Sequence, residues 1–285
     1  MTEQGLHRLQ ELEEENRRLL QELAVESQRR IRMLEEENQR LQELEEENIV
    51  LKRQFPKMND KIFQDIESYF TNEVLEDLLL TKDGLRIGGE RKKVTILFSD
   101  IRRSTEISEL LDAADFIRML NHYLEDMIEI INAWQGNILD FVGDSIIVVF
   151  GAPRPNESSA RDAVACAVAM QRRMKSVNDW NLIRGYPRIS MGIGIHTGEA
   201  ILGNIGSETR RKYDMIGRNV NLASRIQSYT NGGQILITTE TLNEAGEQVL
   251  ENKAGSLIVT PRGIHGDIQL HDIIGFEEKY LPGVR

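Results

Sequence analysis

Cysteine is almost absent from this chain: Cys166 is the only one in 285 residues. A single thiol excludes an intramolecular disulfide framework and any cysteine-cluster zinc site. Cys166 lies in AVACAVAM, a helical run of small apolar residues, and is expected to be a buried core residue rather than a nucleophile. Proline does not occur before Pro56. Long apolar runs are missing too. No stretch is long enough to span a bilayer and no signal-peptide pattern opens the sequence, so a soluble, cytoplasmic chain without a membrane segment is expected. Positive charge is in deficit, with a formal net charge of −11 to which the N-terminal glutamates contribute heavily. That argues against a nucleic-acid partner, although residues 210–212 form a small basic patch. Ser-His-Asp, HExxH and Walker arrangements are absent, and GIGIHTGEAILGNIG is neither a Rossmann nor a P-loop fingerprint. His196, within that segment, is expected to be scaffold.

What is present divides into three parts. Residues 1–55 read as a coiled-coil dimerisation helix. Leu9, Leu12, Asn16, Leu19 and Leu23 follow 3,4,3,4 spacing, as do Leu41, Leu44, Asn48, Leu51 and Phe55. The two registers are offset by four residues, so a stutter is expected near residues 30–34. Asn16 and Asn48 at core positions favour a parallel two-stranded coil in fixed register. RLQELEEEN occurs at both 8–16 and 40–48, which suits either low complexity or an engineered dimeriser in place of an upstream sensor. A solvated single helix is the plainer alternative. Pro56 ends the helix, and residues 56–88 read as a linker with short amphipathic helices.

Residues 89–285 carry a mixed pattern. A strand over 93–100 is followed by a helix over 106–132, a hairpin through 137–150 and a helix over 159–177. A strand over 188–196 with a hairpin partner over 199–205 comes next. Then follow a helix over 219–229, a strand over 234–238, a short helix from Glu240, and strands near 256–260 and 267–274. Hairpins set among alternating strands and helices predict an α+β fold, an antiparallel-rich sheet with helices on one face, preceded by the long parallel coiled-coil helix.

Two acidic strand ends stand out. Asp100 closes the apolar run VTILFSDI, and Asp144 sits in the turn FVGDS. Either alone is equally at home as a helix cap or turn aspartate. Together, at neighbouring strand ends, they could converge on one Mg²⁺, which takes oxygen ligands from one or two carboxylates plus substrate phosphates. Downstream, YDMIGRNVNLASRI places Arg218, Asn221 and Arg225 at i, i+3 and i+7 on one helical face beside Leu222. An arginine there is either a surface residue of an amphipathic helix or a planar fork for phosphate oxygens.

VTILFSDIRRST, FVGDSIIVVFGAP and IGRNVNLASR together resemble the class III nucleotidyl cyclases, which make cyclic nucleotides from nucleoside triphosphates. The resemblance covers roughly residues 88–275. It implies a ferredoxin-like core and Mg²⁺ or Mn²⁺, two ions per site, on Asp100, Asp144 and the backbone carbonyl of Ile101. It implies that Asn221 and Arg225 stabilise charge as the ribose 3′-oxygen attacks the α-phosphate. It also implies a head-to-tail homodimer, with the metal aspartates on one chain and Asp140, Arg218, Asn221 and Arg225 on the other. Ser104 and Thr105, ahead of a helix, are candidates for phosphate binding. So is Arg262, which stands where relatives often have a phosphate-binding lysine. Arg103 and Ser104 depart from the small residue and aromatic often found after the first arginine.

Base choice is where the chain departs most. Adenylate-specific relatives carry Lys at the position of Asp140 and Asp at the position of Arg218. Guanine presents N1–H and N2–H₂ donors beside the O6 acceptor, the reverse of adenine's N1 acceptor beside its amino donor. Asp140 would accept from N1–H and N2–H₂, and Arg218 would donate to O6. GTP is therefore the expected substrate. The alternatives are an adenylate cyclase, or a base-relaxed or pyrimidine cyclase with Asp140 and Arg218 in an internal salt bridge. Outside catalysis, the rivals are a dead cyclase-like dimerising module and a coiled-coil scaffold with an incidental cap.

Overall fold

The computed structural model describes Met33, Gln39, Arg40, residues 86–264 and residues 266–277. Met33, Gln39 and Arg40 are helical; the rest of the expected coiled coil, its stutter and the linker to residue 85 lie outside the described residues.

The chain begins its sheet with β1 (Gly88–Ile101), then forms α1 (Ser104–Leu110), α2 (Ala113–Ala133), β2 (Asn137–Val142), β3 (Ser145–Phe150) and α3 (Ser159–Ile183). β4 (Met191–Gly206), β5 (Arg211–Ile216), α4 (Arg218–Ser228), β6 (Ile235–Thr238) and α5 (Thr239–Ala245) follow, and β7 (Val249–Glu251), β8 (Leu257–Val259) and β9 (Ile268–Phe276) complete it. The strand order is β2-β3-β1-β4-β6-β9-β7, with β5 added to β4 and β8 to β9. β4 and β6 pair in parallel; the other strand pairs are antiparallel. The α+β, antiparallel-rich expectation is met.

Strand period explains the two faces. In β1, Leu97 and Ile101 enter one core with Met119, Tyr123 and Met127 of α2 and the small-residue stripe of α3. Cys166 is part of that stripe, fully buried, and burial pushes its thiol pKa up, as a core residue requires. Val94 and Ile96 point the other way, into a second core with Leu202, Met215 and Ala223 of α4. Helices therefore cover both faces, correcting the one-face expectation. α4 can lie flat on the sheet because Gly194 has no side chain: a Cβ there would stand 2.2 Å from the backbone nitrogen of Gln227.

Two element boundaries also differ. The helix expected over 106–132 is broken in two, because the Asp112 carboxylate accepts from the Ala114 N–H (3.1 Å) and caps α2. The hairpin expected between 188–196 and 199–205 is one continuous strand, β4, paired with β1 from Met191–Ile101 to Asn204–Gly88. Gly198 does not turn the chain. A Cβ there would meet Asn219 Nδ2 at 2.5 Å, so that glycine serves the approach of α4 instead. The real hairpin closes on β5, where Ser207 N–H donates to Arg210 O (2.8 Å).

Candidate active site

β1 and the β2–β3 hairpin bring the two strand-end aspartates together. Val142 pairs with Ser145, leaving Gly143 and Asp144 as a two-residue loop. Gly143 has φ 64°, the glycine-first arrangement of a primed hairpin turn, and this holds Asp144 at the tip. Ser99 pairs with Ile146, so Asp100 at the end of β1 falls opposite Ser145. Ser145 Oγ donates to Asp100 Oδ2 at 2.5 Å, and the Ile101 N–H donates to Asp144 Oδ2 at 2.9 Å. Each carboxylate is thus anchored by the segment that carries the other. Arg102 adds a charged bond, Nη2 to Asp100 Oδ1 at 2.6 Å, while its Nη1 reaches Thr230 O at 3.4 Å. Asp100 retains an unused lone pair on each oxygen. Among the described residues, no three His, Cys, Asp or Glu side chains cluster closely enough to hold a metal by themselves. A two-carboxylate oxygen site matches Mg²⁺ or Mn²⁺ completed by substrate phosphates, and does not match zinc.

Beneath this site the Tyr123 phenol is fully buried and donates to Met191 Sδ at 3.0 Å. Burial raises its pKa, with the charges of Asp144 and Asp100 adding to the effect, so it stays a neutral floor under the carboxylates. Arg103, directly after Arg102, adopts φ 59° and ψ 33°. That left-handed conformation costs a side chain about 1–2 kcal/mol. Ser104 and Thr105 open the seven-residue α1.

α4 presents the expected face. Arg218 and Asn221 are exposed and Arg225 is half-buried, while Leu222, Ala223 and Ile226 face inward. Arg225 also approaches the loop of Arg262: a Cβ on Gly263 would lie 3.9 Å from its Nη2. His196 fixes the start of the helix. Asn219 Nδ2 donates to Glu199 O (2.8 Å), so its Oδ1 accepts from His196 Nε2–H (3.2 Å), and His196 Nδ1 accepts from Thr238 Oγ1 (2.9 Å). Burial pushes the His196 pKa down and nearby Arg218 adds to this, against the Asn219 bond and Glu240, so the ring is neutral. His196 is scaffold, as expected.

The candidate base-reading residues Asp140 and Arg218 have different surroundings. Asp140 Oδ2 pairs with Lys212 Nζ at 2.6 Å. Among the described residues no ion pair joins Asp140 to Arg218, which corrects the internal salt bridge considered above. Arg218 instead lines a cavity of about 820 Å³ with His196, Glu199, Asn219, Glu240 and Asp267. Sequence reasoning did not foresee the contacts of Arg102 and Ser145 with Asp100 or of Lys212 with Asp140. No local signal marks Lys212, because β2 and β5 meet only in the folded chain.

Comparison with known proteins identifies the family. Residues 89–270 match the family described as the adenylate and guanylate cyclase catalytic domain. The crystal structure of the guanylyl cyclase Cya2 is 44% identical, covers 68% of this chain and 98% of its own, and superposes with a TM-score of 0.66. The adenylyl cyclase CyaB from P. aeruginosa is 35% identical over 66% of this chain and 97% of its own, with a TM-score of 0.63. Adenylate cyclase 1 of Rhizobium meliloti (strain 1021) is 29% identical over 187 residues, which are 65% of this chain and 28% of that protein. The chain therefore spans under a third of the length of that curated relative. No helix among the described residues is long and apolar enough to cross a membrane. With its two anchored aspartates at the strand ends and its Asn/Arg face on α4, the chain belongs to the adenylate and guanylate cyclase catalytic domain family of class III nucleotidyl cyclases.

Proposed function

We propose that this chain converts a nucleoside triphosphate, with GTP favoured, to its 3′,5′-cyclic monophosphate and pyrophosphate. The observation that carries the reading is the reciprocal anchoring of Asp100 and Asp144 through Ser145 Oγ and the Ile101 N–H. Two carboxylates fixed by groups other than each other form a rigid anionic pair, ready to hold a hard cation without reorganising. Asp100, Asp144 and the Ile101 carbonyl would hold Mg²⁺ or Mn²⁺, two ions per site. Bound there, the ions supply charge that favours 3′-hydroxyl deprotonation and neutralises the triphosphate. Arg225 and Asn221, on the open face of α4, offer a charged fork and an amide to the oxygens of the α-phosphate. Arg262, beside Arg225, extends that cationic wall, and Ser104 and Thr105 offer donors near the phosphates. These groups sit in a head-to-tail homodimer, where each site takes its aspartates from one chain and its α4 face from the other.

GTP is favoured because Asp140 presents acceptors where adenine would also present an acceptor. The 44% identity to a guanylyl cyclase supports the same choice. The likeness to an adenylyl cyclase at 35% keeps ATP as the second reading. Removing the acceptor with Asp140→Ala is expected to lower the GTP-to-ATP ratio of kcat/KM by about 10². A wild-type preference for ATP, left unmoved by Asp140→Ala, contradicts the guanine reading and leaves the cyclase assignment in place.

A further inference from the structure

Guanine needs a hydrogen-bond donor for O6 directly beside the acceptor for N1–H. In the structure the cation beside Asp140 is Lys212, while Arg218 lines a cavity shared with Glu199, Glu240 and Asp267. We propose that Lys212 is a specificity-determining residue of the base pocket, donating to the purine O6 while Asp140 accepts from N1–H and the 2-amino group. This rests on the cyclase reading with Asp140 as base contact, and deepens it.

The geometry is a clamp. Asp140 Oδ1 accepts from the Phe141 N–H at 2.8 Å, which fixes the carboxylate plane just past the bulge between Ile138 and Asp140. Its Oδ2 takes the Lys212 ammonium at 2.6 Å. Lys212 also reaches Asp214 Oδ2 at 3.3 Å, and Asp214 is held in turn by the Met215 N–H on Oδ1 at 2.8 Å. Of the three ammonium donors, two are committed to these carboxylates and the third is free for a ligand. Asp140 likewise keeps one lone pair on each oxygen. Although partial burial opposes it, the bond to Asp140 and the charge of Asp214 raise the Lys212 pKa, so the donor remains charged. Lys212, Asp140 and Asp214 are 43%, 41% and 39% exposed, so a base can reach them without unfolding anything. The cluster carries one positive and two negative charges. That balance suits an edge with several donors and one acceptor.

An exposed ion pair with no part in recognition is the plain alternative, and such a pair would not alter base preference. The test measures kcat/KM for GTP, ITP and ATP in wild type, Lys212→Met and Lys212→Arg. Inosine keeps O6 and N1–H but lacks the 2-amino group. Lys212→Met is expected to lose about 10- to 100-fold on GTP and ITP alike, chiefly through KM, with a much smaller change on ATP. Lys212→Arg, which keeps a charged donor, should retain most of the preference for GTP. Thermal unfolding of both variants should stay within a few degrees of wild type. A GTP-to-ATP ratio unchanged in Lys212→Met, or an equal fall on all three nucleotides, overturns the proposal for Lys212 alone. A wild type that prefers ATP overturns the guanine reading along with it, so the two failures are separable.

Discussion

Asp144→Ala should lose at least about 10³-fold of cyclising activity in Mg²⁺ or Mn²⁺ while remaining folded. Asp144 stands at the tip of a two-residue hairpin loop, outside both hydrophobic cores, so its removal opens no cavity. What folding loses is the acceptor for the Ile101 N–H, worth about 1–3 kcal/mol when the acceptor is charged. In a domain of this size that lowers Tm by roughly 2–10 °C. Asp144→Asn separates the two roles. Its amide oxygen can still accept from Ile101, so stability should approach wild type, yet the lost charge should leave activity as low as in the alanine variant. Substantial turnover by either folded protein would remove the two-carboxylate mechanism.

The second large effect is recovery from nothing. Asp144→Ala and Arg225→Ala should each be inactive alone, since on the proposed mechanism one would lack a metal carboxylate and the other the cation for the α-phosphate. Mixed in equal amounts and allowed to exchange subunits, they should regain about a quarter of wild-type activity: half the dimers are mixed, and each mixed dimer has one intact site of two. The intact site takes its aspartates from the Arg225→Ala chain and its α4 face from the Asp144→Ala chain. Demonstrated exchange without recovery would place all these groups in one chain.

Much of the site was legible in the sequence because its signals are local. Asp100 ends an alternating apolar strand, Asp144 follows the glycine of a tight turn, and Arg218, Asn221 and Arg225 share a face at helical spacing. Strand and helix periods placed these residues on the elements where the structure has them, while their assigned roles came from the family resemblance. What was not legible is non-local or ambiguous. Lys212 and Asp140 are 72 residues apart, and nothing in either strand says that they meet. Gly198 looks like a turn residue, yet it is a point of close approach inside β4. α4 has an apolar face like any surface helix, and its pattern does not say which side of the sheet it covers. The left-handed Arg103 is invisible, because an arginine gives no sign of such a backbone.

The most direct test of the central claim is product analysis of the wild-type protein with ATP, GTP, UTP and CTP supplied separately, in Mg²⁺ and in Mn²⁺. The account predicts that GTP gives 3′,5′-cyclic GMP and pyrophosphate in equal amounts, with kcat/KM above that of the other three nucleotides. No cyclic product from any nucleotide with either metal would contradict the cyclase reading itself, and cyclic AMP as the dominant product would contradict the choice of base.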